Sequence, residues 1–314
     1  MSELSPIEGG EAFVVALLIA FAAAYALGAA RLAARRMRPA GARRHDGIVF
    51  AAGLVVLAAT LLGPLDAWSE QSFAVHMVQH ELLMLAAAPL LVRGRPLGRF
   101  AWALPARGRV HWRTLLRRSH AQGPWALITG VAGACALQTA ALWAWHLPAW
   151  FRAALQHPGL HILQHATFLA AALCFWWSVL RPATPRTAAS RGIATLFITT
   201  LTTGALGALL TFGSSPWYAF PGQAAPFGLT ALEDQQLGGL IMWVPGGMVY
   251  VVVALLLGAR ALGTPRPASG RGIDQAGQRT AAPSQRLRCH TTRVDASASA
   301  AAWRATAVRP IGKP

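Results

Sequence analysis

Residues 74–92, AVHMVQHELLMLAAAPLLV, combine a nearly uninterrupted apolar run with two histidines and one glutamate. A run of about 20 apolar residues is what an α-helix needs to cross the hydrocarbon core of a bilayer. Over the whole chain, 54% of the residues are hydrophobic and 12% are charged, against about 25% charged residues in soluble domains. The composition therefore excludes an ordinary soluble domain and predicts a multi-pass membrane protein.

Six further apolar stretches of similar length predict a bundle of seven transmembrane helices, an all-α membrane protein. The predicted spans are residues 12–30, 47–63, 74–92, 125–144, 160–180, 193–212 and 237–258. The first span follows an acidic leader without basic residues, so we expect it to stay as an anchor and not to be a cleaved signal peptide. Residues 1–262 form the predicted transmembrane domain. The composition of residues 263–314 predicts a basic, disordered cytoplasmic tail.

The basic residues indicate the direction of the spans, because Lys and Arg are retained on the cytoplasmic side of a membrane. The chain has 28 Lys and Arg against 11 Asp and Glu, a formal charge of +17. When the seven spans are drawn, every Lys and Arg except Arg152 falls on one side. The N-terminus is therefore predicted outside and the C-terminus in the cytoplasm. Topology and attraction to anionic lipids explain the charge, so no nucleic-acid partner is expected.

Histidines concentrate on the predicted outer side, in loops or in the outer halves of spans: His76, His80, His146, His157, His161 and His165. Four of them form two pairs with a spacing of four residues, His76/His80 in span three and His161/His165 in span five. This spacing puts both imidazoles of a pair on one helix face, about 6 Å apart along the axis. The two pairs predict a copper or zinc site, provided that spans three and five are neighbours, which the sequence leaves open.

Other side chains are candidates to complete such a site. His157 lies one turn above His161, and His146 lies in the outer loop before span five. Thioether sulfurs favour Cu(I), and three methionines in spans three and seven are candidate donors: Met77, Met84 and Met242. Of the three, Met77 is the least expected to point inward, because it lies about 100° round the helix from His76. The structural alternative is that histidines bond across helices to polar groups and that methionines pack the core.

Two carboxylates are candidates to orient an imidazole. Glu81 is the acidic residue deepest in any span, and Asp234 directly precedes span seven. The alternatives are that Glu81 is protonated and bonded within the bundle, and that Asp234 caps its own helix. The cysteines Cys135, Cys174 and Cys289 are far apart and form no CxxC motif, which excludes a thiol-pair metal site.

Three stretches carry a family resemblance: GPLDAWSEQSFAVHMVQHELLMLAAAPLLVRGRP (63–96), WHLPAWFRAALQHPGLHILQHATFLAAALCFWW (145–177) and DQQLGGLIMWVPGGMVY (234–250). Together they resemble the seven-helix CtaG-type cytochrome c oxidase assembly factors of bacteria, the family linked to caa3-type oxidases. The resemblance covers residues 12–260, and its most specific part is the HMxxH block with its following proline. Arg93 departs from the family pattern, where an apolar residue is expected.

The resemblance implies a non-enzymatic protein of the bacterial plasma membrane that helps to mature the oxidase by delivering copper to it. The implied partners are oxidase subunits or another copper chaperone. The family motifs match six residues here: His76, His80, His146, His161, His165 and Asp234. From spacing and depth, we expect the four paired histidines to be the metal ligands, with Cu(I) as the bound ion.

Other functions fit parts of the same pattern. A haem-binding membrane protein would use histidines from two spans as axial iron ligands. A metal-ion transporter would need polar residues that continue to the cytoplasmic face, and the inner halves of spans three and five offer almost none. A di-iron hydroxylase would need clustered HxxHH boxes, which the sequence lacks.

Overall fold

The computed structural model describes residues 6–35, 39–181, 185–218 and 228–263, and within these ranges the chain forms helices and no strand. A six-residue π-helix, Leu82–Ala87, joins α4 to α5. The α-helices are α1 (Pro6–Ala34), α2 (Ala40–Leu61), α3 (Pro64–Ser69), α4 (Phe73–Glu81), α5 (Ala88–Arg93), α6 (Pro96–Ala103), α7 (Ala106–Gln122), α8 (Pro124–Thr129), α9 (Val131–Trp145), α10 (Pro148–Gln156), α11 (Pro158–Leu180), α12 (Pro185–Thr211) and α13 (Ala231–Gly263). The predicted tail, apart from its first residue, lies outside the described residues.

Six helices among the described residues are long and apolar enough to cross a membrane. They are Glu11–Ala34, Ala40–Leu61, Phe73–Arg93, Pro158–Leu180, Ala189–Thr211 and Ala231–Leu262. These six coincide with predicted spans one, two, three, five, six and seven. The all-helical architecture predicted from the sequence is therefore confirmed for the described residues, with six helices that could span a membrane.

The predicted fourth span, residues 125–144, is not one continuous helix. α8 and α9 meet at Gly130, whose backbone is extended, with φ −70° and ψ 161°. The break brings the two helices into close contact that only glycine allows, since a Cβ on Gly133 would lie 1.8 Å from the carbonyl oxygen of Leu127. α9 has 15 residues. It therefore measures about 22 Å, short of the roughly 30 Å hydrocarbon core.

Span three changes its helical geometry in the middle. Pro89 has no N–H with which to bond the carbonyl of Leu85, and the π-helix ends just before it. The wider turn leaves a carbonyl oxygen for an outside donor, and the indole N–H of Trp176 donates to that of Met84 at 2.7 Å. This bond ties span three to α11 directly below the histidine-bearing turns.

Span three lies at the centre of the bundle. α13 packs against α4, while α2 and α11 pack against the π-helix and α5. α12 and α13 form the most extensive helix pair and approach through glycine. A Cβ on Gly239 would lie 2.7 Å from the carbonyl oxygen of Gly207. The central position of span three means that groups on three neighbouring helices can meet its histidines.

The arginine-rich end of the bundle is held by a buried ion pair. Arg99 of α6 is 5% exposed and lies 3.5 Å from the carboxylate of Asp46 on α2. The Arg99 guanidinium also lies over the ring of Tyr25 on α1, 4.5 Å from its centre. The Tyr25 hydroxyl is 2.8 Å from the carbonyl oxygen of Asp46 and 2.9 Å from that of Gly94. These contacts fix α1, α2 and α6 against one another at the end opposite the paired histidines.

Candidate metal centre

The start of α4 is fixed by a carboxylate from another span. Ser72 is the N-cap residue, and its hydroxyl oxygen accepts from the backbone N–H of Val75. The Asp234 carboxylate accepts from the Ser72 hydroxyl at 2.6 Å, from the N–H of Phe73 at 2.6 Å and from the N–H of Ala74 at 3.1 Å. Asp234 therefore caps span three. The structural alternative, in which Asp234 caps its own helix, is wrong. It is a positioning residue, because it fixes the first turn of the helix that carries His76.

The structure brings the two histidine pairs together, which the sequence left open. Within each pair, the ring centres lie 4.3 Å apart. Between the pairs, the ring centres of His76 and His161 are 5.4 Å apart and those of His80 and His165 are 5.3 Å apart. The four imidazoles thus form one compact group, here called the histidine cluster, between α4 and α11.

His146 adds a fifth imidazole beside the cluster. It is the C-cap residue of α9, and its ring centre lies 6.5 Å from that of His80. Nδ1 is 2.7 Å from the carbonyl oxygen of Leu142 and Nε2 is 3.4 Å from the sulfur of Met77. Because a carbonyl oxygen only accepts, Nδ1 carries the proton in a neutral ring and Nε2 presents its lone pair to the thioether.

Burial leaves several imidazole nitrogens without hydrogen bonds among the described residues. His76, His80 and His165 are at most 8% exposed. Both ring nitrogens of His80 lack a partner in the described part of the chain, and so do the Nε2 atoms of His161 and His165. Buried polar atoms are normally paired, since leaving one unpaired in an apolar interior is costly. His80, His161 and His165 therefore have hydrogen-bonding or metal-binding capacity that the described residues do not use.

The imidazole nitrogens of the histidine cluster do not point at a common centre. In the part of the chain that the structure describes, no group of three or more His, Cys, Asp or Glu side chains is arranged to hold a metal ion. What the structure shows is a gathering of imidazoles at close ring spacing, not a formed coordination sphere.

Aromatic rings hold the cluster in place. The Phe151 ring lies 5.2 Å from His76 and the Phe168 ring lies 4.6 Å from His80. Tyr218 donates its hydroxyl to the carbonyl oxygen of His146 at 2.7 Å and stacks on Phe73 at 4.8 Å. Burial raises the pKa of Tyr218 above its ordinary range, so Tyr218 acts as a neutral donor here. α9, α10, α11 and the loop before α13 thus all contribute to the walls.

The remaining candidates make their described contacts with residues outside the cluster. The Glu81 carboxylate faces span seven, where a Cβ on Gly246 would lie 2.8 Å from its Oε2. His157 is the N-cap residue of α11 and is exposed. The sulfur of Met84 accepts from the side-chain amide of Gln138 at 3.2 Å, and Met242 is a core residue at 2% exposure. Among the methionines, Met77 is the one whose sulfur contacts a histidine ring in the described structure.

Sequence reasoning missed two glutamines. Each histidine pair has the form H-x-x-Q-H, and both Gln79 and Gln164 are fully buried. Gln79 donates to the carbonyl oxygen of Thr60 at 2.9 Å and to the carboxylate of Asp66 at 2.6 Å. The repeated motif was the available signal, since an amide inside an apolar span needs a partner.

Fold and site together define a multi-pass α-helical membrane protein with a buried histidine cluster near one end of its bundle. Comparison with protein families identifies it further. The model of the cytochrome c oxidase caa3 assembly factor family (Caa3_CtaG) matches residues 23–263, and the chain belongs to that family. Comparison with curated proteins and with solved structures gives no significant match.

Proposed function

We propose that this protein binds Cu(I) at the histidine cluster, on the outer face of the bacterial plasma membrane, and assists its insertion into cytochrome c oxidase. Membership of the assembly factor family supports the oxidase as the target. The convergence of five imidazoles and a thioether at one buried site carries the copper proposal. The protein acts without catalytic turnover, with oxidase subunits or another copper chaperone as its partners.

The proposed orientation places the histidine cluster outside and the arginine-rich end in the cytoplasm. The arginines around the buried Arg99 pair support this direction, because basic loops are retained in the cytoplasm. α8 and α9 together form span four, broken at Gly130, and bring the number of crossings to seven. With seven crossings, the N-terminus lies outside and the C-terminus inside.

The spacing of the rings between the two pairs suits a tetrahedral ion, while the 4.3 Å spacing within each pair is shorter than such an ion gives. With metal–nitrogen bonds of about 2.0 Å, two imidazoles on one tetrahedral ion have their ring centres about 5 Å apart. The distances across the cluster are 5.3 and 5.4 Å. To bind one ion, the rings would rotate about their side-chain torsions so that their nitrogens face a common point.

The contact between His146 and Met77 favours Cu(I) over harder ions. Two lone-pair donors face each other there, the Nε2 of His146 and the Met77 sulfur, at 3.4 Å. With metal–nitrogen and metal–sulfur bonds of about 2.0 and 2.3 Å, two ligands on a tetrahedral ion have donor atoms about 3.5 Å apart, close to the observed separation. A thioether beside neutral imidazoles selects a soft monovalent ion. Without a thiolate, the ion can pass on to a stronger site.

The first test measures metal content and the visible spectrum of the detergent-purified protein after loading with Cu(I). We expect about one copper per chain, lost in the His76→Ala/His80→Ala variant and kept in the matched control His157→Ala, whose imidazole is exposed. Met77→Leu preserves volume and should weaken Cu(I) more than Zn²⁺. A Soret band would indicate haem binding instead, and absence of copper from the wild type would refute the proposal.

A further inference from the structure

A cavity opens beside the histidine cluster, between α1, the α2–α3 connection and α11. Its volume is about 640 Å³. The walls are mostly apolar, with α1 contributing Phe13, Val14 and Leu17 among others. His161 and His165 form part of its lining, so the cavity reaches the α11 side of the cluster.

The carboxylates of this cavity give it a negative charge. Three carboxylates line it, Glu11 from α1 and Asp66 and Glu70 from the region of α3, and the described lining includes no Lys or Arg. Glu70 is exposed and Asp66 is half-buried. Partial burial raises the pKa of Glu70, and repulsion from the negative charge of nearby Asp66 adds to the rise. A bound or passing cation would relieve that repulsion.

The cavity is connected to the cluster through unpaired nitrogens. The Nε2 of His165 has no hydrogen-bond partner among the described residues, and this side chain is 8% exposed while lining the cavity. The His165 ring lies 5.3 Å from that of His80, and the His161 ring lies 5.4 Å from that of His76. A cation received at His161 or His165 is therefore one ligand exchange from the α4 histidines.

We propose that this cavity is the path by which the cation reaches and leaves the histidine cluster, with Asp66 and Glu70 capturing it at the mouth and His161 and His165 receiving it inside. The inference rests on the proposed function and adds a route and a capture site to it. The carboxylates act on the rate of loading, because charge that lines a narrow cleft concentrates counter-ions there. The imidazoles and Met77 determine the final affinity.

The test measures loading kinetics of the full chain in nanodiscs, with Cu(I) supplied anaerobically as its cationic acetonitrile complex and followed by tryptophan fluorescence. We expect Glu70→Gln to slow loading about threefold to tenfold, and Glu70→Lys to slow it further. Copper bound at equilibrium stays the same. The rate should fall with ionic strength in the wild type and less steeply in Glu70→Gln.

The matched control is Glu233→Gln, which removes the same charge from an exposed carboxylate outside the cavity. Glu233 accepts from the backbone and hydroxyl of Thr230, a role that glutamine can keep. We expect its loading rate to equal that of the wild type. Equal slowing by Glu70→Gln and Glu233→Gln, or no slowing by Glu70→Lys, overturns the route while leaving the copper site intact. Failure of the wild type to hold copper at equilibrium overturns the proposed function itself.

Discussion

The capping of α4 by Asp234 gives a quantitative prediction about how spans three and seven are joined. Asp234→Ala removes the acceptor for the Ser72 hydroxyl and for the N–H groups of Phe73 and Ala74. The hydroxyl can turn elsewhere, but the two N–H groups stay buried at the helix start. At about 1–3 kcal/mol for each of the two unpaired donors, we expect the free energy of unfolding to fall by about 2–6 kcal/mol. Asp234→Asn keeps one acceptor oxygen and should lose about half as much.

Reversible unfolding in mixed micelles with increasing SDS, followed by circular dichroism, measures this loss. Hydrogen exchange of the Phe73 and Ala74 amides locates it, and both should exchange faster in Asp234→Ala. The control is Glu233→Ala, which removes the neighbouring carboxylate, whose described hydrogen bonds are to Thr230 alone. If the two variants lose the same stability, or if exchange at Phe73 and Ala74 is unchanged, the assignment of Asp234 as the cap of span three is wrong.

Two further predictions concern helix packing and pH. Gly239→Ala should lower the free energy of unfolding by about 1–3 kcal/mol, because its Cβ would lie 2.7 Å from the Gly207 carbonyl oxygen. Gly247→Ala, with 4.0 Å to its nearest neighbour, is the control on the same helix and should be close to neutral in the same SDS titration. Burial and Asp66 raise the pKa of Glu70, so its protonated form is favoured by folding. The stability that the Glu70 carboxyl group contributes is present at low pH and is lost as the pH rises through that pKa. Glu70→Gln should remove this part of the pH dependence. Thermal unfolding from pH 4 to 8 measures the difference.

Most of the fold could be predicted from apolar run length, because a bilayer imposes nearly the same length on every crossing helix. The exception is residues 125–144, where the composition is as apolar as elsewhere but the chain breaks at Gly130. The break depends on the close approach of Gly133 to the carbonyl of Leu127. That is a contact between turns six residues apart, and hydropathy contains no information about it.

The site could be predicted less completely. The spacing of four residues showed that the two histidines of each pair, His76/His80 and His161/His165, share one face of their helix. It could not show that the two faces meet, because neighbour relations among spans are set by packing across the whole bundle. Nor could it assign Asp234, since a carboxylate at a helix start usually caps its own helix. Here the carboxylate reaches the donors of α4 instead.

The packing below the cluster argues that an ion enters and leaves at the same end. After His165, the inward-facing side chains of α11 are Phe168, Ala171, Ala172, Phe175, Trp176 and Val179. The one polar group in that series, the Trp176 indole, is engaged with the carbonyl oxygen of Met84. An ion moving inward along this face would leave its ligands with no replacement, at a cost of several kcal/mol or more. On the other side, the cavity lined by His161 and His165 also contains the carboxylates of Glu11, Asp66 and Glu70, which could take over as ligands. That asymmetry fits delivery of a cation to a partner on the same side and opposes transport across the membrane.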